Sequence, residues 1–226
     1  YEAWGSLARK LAHEIKNPLT PIQLSIDRIR EKYLNQINKD RNNFSEYLDT
    51  INKQIHDIEH LINEFSDFAR MPKPILKKVN INEVVSRSIS LFKLSEPKIN
   101  FTISKLKPIN YIRGDAEQLN RVFLNLIKNS IESINEKKNK ILDLQGKISI
   151  DIIEDNHYIY VNIVDNGIGF KDVDKEKMLT PYFTTKKRGT GLGLAVVTKI
   201  ISDHNSTILF NSNEDGATIS ITIPKI

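Results

Sequence analysis

The sequence predicts an α+β chain in two parts: a hairpin of two long helices, then a two-layer α/β sandwich. Three observations carry that reading. Apolar residues recur at helical spacing up to about Pro72. A linker with two prolines follows. Beyond it, strands alternating apolar and polar residues are interleaved with helices.

In the first helix Leu7, Leu11, Ile15, Leu19, Ile22, Ile26, Ile29 and Tyr33 follow in steps of four or three, which is one helical face. Pro18 and Pro21 fall inside this series. Pro18 removes the hydrogen bond to the carbonyl of Glu14 and predicts a kink. The apolar period continues past both prolines, so the helix is expected to bend without stopping. A polar connector, "NQINKDRNN", leads to Phe44, Leu48, Ile51, Ile55, Ile58, Ile62, Phe65 and Ala69, whose alternating steps form a heptad seam. One hairpin has too little mass to bury both stripes. Two hairpins paired as a four-helix bundle would bury them, which predicts a homodimer.

The linker "MPKPILKK" carries Pro72 and Pro74, which disfavour helix. It divides the chain into residues 1–72 and 73–226. In the second part the pattern predicts a helix from Asn82 to Phe92 and a strand from Ile99 to Leu106. Asp115 and Gln118 make a capping-box-like start to the helix "AEQLNRVFLNLIKNSIESINEK". Strands "KISIDII" and "YIYVNIV" come next, then a glycine-rich stretch and a helix from Gly193 to His204. Strands "STILFN" and "ATISITI" complete the pattern.

Composition excludes several classes. The net charge is +5 and the pI about 9.2. The lysines are scattered, with tight clusters only at Lys77-Lys78, Lys137-Lys138 and Lys186-Lys187-Arg188, so the charge reads as a mixed surface and not as a nucleic-acid footprint. It would suit an anionic nucleotide or an acidic partner. No apolar run approaches the roughly 20 residues that cross a membrane. Cysteine is absent, which excludes disulfides and cysteine-based zinc sites and fits a reducing cytoplasm. The start, "YEAWGSLARK", lacks a signal-peptide core and reads as an excerpt from within a helix, so the natural protein is expected to be longer.

His13 is the first candidate for chemistry. On a wheel of about 100° per residue it lies roughly 160° from Ile15, on the wet side of its helix. Glu14 is adjacent and Asn17 one turn on. His56 and His60 are spaced like metal ligands, but no Glu follows His56 as in H-E-x-x-H, so they read as a solvated face. In "VDNGIGF", Asp165 ends a strand before Gly167 and Gly169; a carboxylate there can accept an exocyclic amine such as adenine's. In "RGTGLGL", Gly189, Thr190, Gly191, Leu192 and Gly193 lead into a helix, whose N-terminus can take phosphate. It is not a P-loop, since no G-K-[ST] follows. Asn125 and Asn129 share a helix face at i and i+4, and an amide oxygen there can ligate Mg²⁺ beside nucleotide phosphates. Lys128, Lys186 and Lys187 are candidate phosphate contacts.

Together these segments resemble the histidine kinases of two-component signalling. "HEIKNPLT" is similar to the phosphoacceptor H-box, "NRVFLNLIKNSIES" to the N-box, "DNGIGF" to the G1 box, "PYFTTK" to the F-box and "GTGLGL" to the G2 box, in the same order. The wording around the H-box and "FSDFARMPKP" resembles NtrY-type nitrogen-regulation sensor kinases in particular.

The resemblance implies a dimerisation and phosphotransfer hairpin over residues 1–72 and a catalytic, ATP-binding sandwich over 73–226, of the GHKL type shared with Hsp90, gyrase and MutL. It implies that His13 accepts the γ-phosphoryl group of ATP, that Glu14 acts as its base, and that Asn17 positions water for dephosphorylating a partner. Asn129 would coordinate Mg²⁺, Asn125 would support the phosphates, and Asp165 would read the adenine amine. Gly167 and Gly169 would shape the pocket. Phe183 would anchor a lid between Phe170 and Thr190, hinged by Gly189, Gly191 and Gly193. The implied cofactors are ATP and Mg²⁺, and the implied partners a response-regulator receiver domain and a second copy of the chain. Membrane attachment would come only through missing parts of a longer inner-membrane sensor. Two other readings stand beside this one: a catalytically silent scaffold that binds a regulator, and a conformational ATPase. The intact pocket motifs argue against the first and the H-box hairpin against the second.

Overall fold

The computed structural model describes residues 2–37, 39–104, 111–170, 191–213 and 215–226. They fall into two compact units, residues 2–72 grouped with Gly191 and Leu192, and residues 73–170 grouped with 193–226. The first is the helical pair α1 (Glu2–Tyr33) and α2 (Arg41–Ala69). Both Pro18 and Pro21 lie inside α1, which runs through them unbroken. The Ser25 hydroxyl donates to the carbonyl of Pro21 at 2.8 Å.

The apolar residues of this pair divide by heptad phase. Ala12, Leu19 and Ile26 of α1 are buried against Leu48, Ile55 and Ile62 of α2, with Phe44 packed on the cluster. Three residues further on, the other phase is uncovered: Ile15, Ile22 and Ile29 on α1, and Ile51 and Ile58 on α2, are 39–46% exposed. The sequence pattern had placed Ile15 and Leu19 on one common stripe. In the folded hairpin a seven-residue repeat of the second helix reaches only one of the two phases. At the connector end Arg30 pairs with Asp49.

The second unit is a two-layer sandwich. Its five-stranded sheet has the order β2-β4-β5-β7-β6, with β2 Ile99–Ser104, β4 Gly146–Glu154, β5 Tyr158–Asp165, β6 Thr207–Asn213 and β7 Gly216–Pro224. Every pairing is antiparallel except β2 with β4, which is parallel and needs a crossover. The crossover carries α4 (Ala116–Lys138). The alternation read in the sequence has its physical cause here: Ile148, Ile150, Ile152, Ile159, Val161, Ile163, Ile219, Ile221 and Ile223 face one side and are buried.

Helix α4 supplies Leu119, Val122, Phe123, Leu126, Ile127 and Ile134 to the same core, and α3 (Ile81–Ser95) and α5 (Gly193–Asp203) pack against α4. Two short strands, β1 (Lys77–Asn80) and β3 (Tyr111–Gly114), pair as a separate ribbon that the sequence pattern did not predict. The chain's last residues join this ribbon to the main sheet. Lys225 bridges Ile112, and the N–H of Ile226 donates to the carbonyl of Tyr111 at 3.3 Å.

Candidate functional site

In the first unit, His13, Glu14 and Asn17 are all exposed, as the helical wheel predicts. Lys10 reaches to within 4.0 Å of Glu14, one turn away. His56 and His60 are exposed as well and face glutamates of their own helix, Glu59 and Glu64. Among the described residues no group of three or more His, Cys, Asp and Glu side chains is placed to hold a metal.

In the second unit the site is built where β5 ends against α4. Asp165 is the last residue of β5 and only 6% exposed. Its Oδ2 accepts the Ser130 hydroxyl at 2.7 Å, and its Oδ1 accepts the N–H of Gly167 at 2.9 Å. Burial pushes its carboxyl above the ordinary value, against the pull of Ser130, the N–H groups of Gly167 and Ala217, and the Lys137 charge. Among the described residues the donors to this buried carboxylate do not fill it, since an ionised carboxylate offers about four acceptor positions.

The backbone around this carboxylate is drawn tight by small residues. A Cβ on Gly167 would overlap the Ser133 side chain on α4. The Ser133 hydroxyl accepts the N–H of Ile168 at 3.0 Å. Behind the carboxylate, β7 opposes Asp165 with Ala217, and a Cβ on the preceding Gly216 would overlap the Asp165 carbonyl. Gly169 has a positive φ, +67°; Gly191, which groups with the helical unit, also has one, +70°. Asn166 ties the loop to the sheet: its Oδ1 accepts the N–H of Lys147 at 2.7 Å, and its Nδ2 donates to the carbonyl of Gln145 at 2.8 Å.

The asparagines lie on the face of α4 that meets α5. Asn125 and Asn129 are half-buried and Lys128 is exposed. The Asn125 amide donates to the carbonyl of Arg121 at 3.0 Å, which leaves its Oδ1 directed outward. A Cβ on Gly193, the first residue of α5, would stand 3.5 Å from that oxygen. The start of α5, with N–H groups that have no partner within the helix, is thereby set beside the first asparagine. Leu192, just ahead of it, is buried. Phe183, Lys186, Lys187, Gly189 and Thr190 lie outside the described residues, as does the lid expected between Phe170 and Thr190.

Sequence reasoning missed Ser130, Ser133 and Gly216. The two serines sit three residues apart, hence on one helix face, one residue and one turn beyond Asn129. Asp215-Gly216 is a hairpin dipeptide, and that signal stood in the sequence.

The arrangement matches known proteins. Residues 114–226 match the model of the histidine kinase-, DNA gyrase B- and HSP90-like ATPases, and residues 3–74 match the His Kinase A (phospho-acceptor) domain. Nitrogen regulation protein NtrY of Azorhizobium caulinodans is 37% identical over 214 residues, 95% of this chain and 28% of the relative. A putative NtrY-like sensor histidine kinase of Rickettsia felis is 36% identical over 221 residues, 97% of this chain and 36% of the relative. The chain thus spans about a third of the length of these relatives. Among solved structures, the catalytic domain of the histidine kinase ThkA is similar with a TM-score of 0.57 and 30% identity, over 66% of this chain and 97% of that one. ThkA in complex with the response regulator TrrA gives a TM-score of 0.68 at 24% identity, over 100% of this chain and 63% of that one, and so shares the fold. No described helix is long and apolar enough to cross a membrane. With a phospho-acceptor domain ahead of an ATPase domain, and relatives 36–37% identical over nearly the whole of its length, the chain belongs to the histidine kinase family.

Proposed function

We propose that this chain is the core of a sensor kinase that uses ATP and Mg²⁺ to phosphorylate His13 and passes the phosphoryl group to an aspartate of a response regulator. The observation that carries the reading is the buried, incompletely filled carboxylate of Asp165, held behind Gly167 on one unit, in a chain whose other unit presents an exposed histidine.

The residues fit the groups this chemistry needs. The remaining acceptor position of Asp165 suits the exocyclic amine of adenine. The Asn129 side chain offers a hard oxygen of the kind Mg²⁺ takes, and Mg²⁺ binds through few protein ligands together with substrate phosphates. Asn125, Lys128 and the start of α5 would meet the phosphates; bound Mg²⁺ would neutralise the charge on them. Lys186, Lys187, Gly189, Thr190 and Phe183 would belong to the lid.

His13 then acts as nucleophile. A ring nitrogen attacks the γ-phosphorus, the bond to the bridging oxygen breaks, and ADP leaves. Glu14 takes the imidazole proton. An exposed imidazole suits a step in which the donor comes from another domain. Asn17, one turn on, would position water when the regulator is dephosphorylated. Residues 1–72 form the dimerisation and phosphotransfer part and residues 73–226 the catalytic part. The uncovered phase Ile15, Ile22, Ile29, Ile51 and Ile58 supports a homodimer, because a second hairpin would bury it. The relatives' greater length supports a longer sensor of which this is the core; any membrane attachment would belong to its other parts.

Incubation with γ-labelled ATP and Mg²⁺ tests the reading. Acid-labile label should appear on the protein, persist in His56→Ala and vanish in His13→Ala. Free phosphate without protein label would identify a conformational ATPase, and nucleotide binding with neither would identify a silent scaffold.

A further inference from the structure

The described serines of the second unit's helices are not alike. In α3 the Ser88 hydroxyl lies 3.0 Å from the carbonyl of Val84 and 2.8 Å from Oδ1 of Asn120 on α4, while those of Ser86 and Ser90 donate to carbonyls one turn back, at Asn82 and Ser86. That is the ordinary fate of a helical serine. In α4 two serines point off the helix. Ser130, 2% exposed, donates to Asp165 Oδ2, and Ser133 accepts the N–H of Ile168. Three residues apart, they hold both ends of the turn Asp165–Ile168, with Gly167 flat against Ser133 between them.

The acceptor count of the carboxylate gives this grip a consequence. Of about four acceptor positions on an ionised carboxylate, three face protein donors among the described residues: the Ser130 hydroxyl and the Gly167 N–H in hydrogen bonds of 2.7 and 2.9 Å, and the N–H of Ala217, opposite on β7, which also draws the charge. One position is left for a ligand, and the three donors fix its direction. Two of them are backbone groups of the sheet and its loop. Ser130 is the side chain among them, so it is the donor that a change of residue removes.

We propose that Ser130 is a positioning residue for base selection: its hydroxyl fills one acceptor position of Asp165 and thereby aims the remaining one at a single exocyclic amine donor of a purine. The inference rests on Asp165 reading the base. Without the hydroxyl the carboxylate has two open positions and freedom to turn about its χ2 angle, so it accepts water or a misplaced donor as readily as the amine. Selectivity falls while the phosphate end, built on Asn125, Asn129 and α5, is untouched.

The test measures the 226-residue protein and its Ser130→Ala variant, binding ATP and purine riboside triphosphate, which lacks the amine, with Mg²⁺ present. Alanine is the best helix former, so the variant keeps α4. The wild type should prefer ATP by about tenfold, the value of one well-made hydrogen bond. In Ser130→Ala the preference should fall to about threefold or less, through weaker ATP binding, with purine riboside triphosphate unchanged. In autophosphorylation KM for ATP should rise by a similar factor and kcat at saturation stay. Equal weakening of both nucleotides, or no change in either, would overturn the role of Ser130. Asp165→Ala separates the two levels. If that variant loses the preference and Ser130→Ala keeps it, only the serine proposal fails. If Asp165→Ala itself keeps the preference, the base reading fails and the serine proposal with it.

Discussion

The imidazole Nε2 of His204 accepts the backbone N–H of Asp115 at 2.9 Å. Its other nitrogen lies 2.7 Å from the carbonyl of Ile200, which can only accept, so Nδ1 carries the proton and the buried ring is neutral. Asp115 in turn caps α4 by accepting the N–H groups of Glu117 and Gln118, and its Oδ2 accepts that of Ile75. One junction thus holds the end of α5, the start of α4 and the linker at Ile75. Asp115→Ala should cost about 1–2 kcal/mol. His204→Ala, which also opens a cavity, should cost about 2–3 kcal/mol. Because the two share a bond, urea unfolding of the double variant should show a loss smaller than the sum. Strict additivity would mean the junction is not a unit.

Two carboxylates titrate in opposite directions. Burial raises the Asp165 carboxyl. At Asp115 burial also pushes upward, but the N–H groups of Ile75, Gln118 and Glu117 outweigh it and the net shift is downward. Asp115 therefore contributes stability above the ordinary carboxylate value, and that contribution disappears as pH falls through its lowered value. Asp165 behaves in reverse. Its contribution is present below the ordinary value and is lost as pH rises through the raised one, so at neutral pH its charge is kept at a cost to stability. Calorimetric titration with ATP should show affinity falling on acidification at a higher pH than an ordinary carboxylate would give. An ATP affinity flat through that range would exclude the charged form as the base acceptor.

Gly216 runs at φ +153° with its Cα against the Asp165 carbonyl. Gly216→Ala should lower stability by about 2 kcal/mol or more, because the added carbon meets backbone that cannot swing away. Nucleotide affinity should drop as well, since Asp165 sits on the strand that must shift. Thermal unfolding with and without ATP measures both effects.

The two heptad phases of the hairpin should respond differently to substitution. Ile55→Ala, in the covered phase, should destabilise the helical unit by about 2–4 kcal/mol. Ile22→Asp, in the uncovered phase, should leave a single hairpin intact and dissociate the dimer, as sedimentation would show. A monomeric wild type at micromolar concentration would remove the proposed pairing.

Pro18 deprives Glu14 of its helical partner, one residue past His13 in the same turn. Pro18→Ala should restore that bond and change the ratio of autophosphorylation to regulator dephosphorylation. An unchanged ratio of the two rates would show that the proline has no part in switching.

The long elements were legible because their period is sustained. The helical series up to Tyr33 outweighed two prolines, and the isoleucine alternation of β4, β5 and β7 marked one buried face. β1 and β3 were not legible: at four residues each, an alternation has no room to declare itself, and they pair with one another across α3 and β2. The parallel placement of β2 on β4 was hidden for a related reason, since the strand pattern is the same for either direction. At the candidate site, the sequence marks Asp165, Asn125 and Asn129 as candidates by their chemistry and spacing, and Gly216 only as a hairpin glycine that could be read. The roles of Ser130, Ser133 and Gly216 could not be read, because they come from how closely α4 and β7 approach the end of β5.

The seam formed by Lys225 and Ile226 gives two residues outside the candidate site a hold on it. Ile226→Pro would remove the N–H that donates to Tyr111 and change no candidate site residue. It would unfasten the β1–β3 ribbon from the main sheet, and Asp115 follows directly on that ribbon. The start of α4 would loosen with every candidate ligand-binding residue still present.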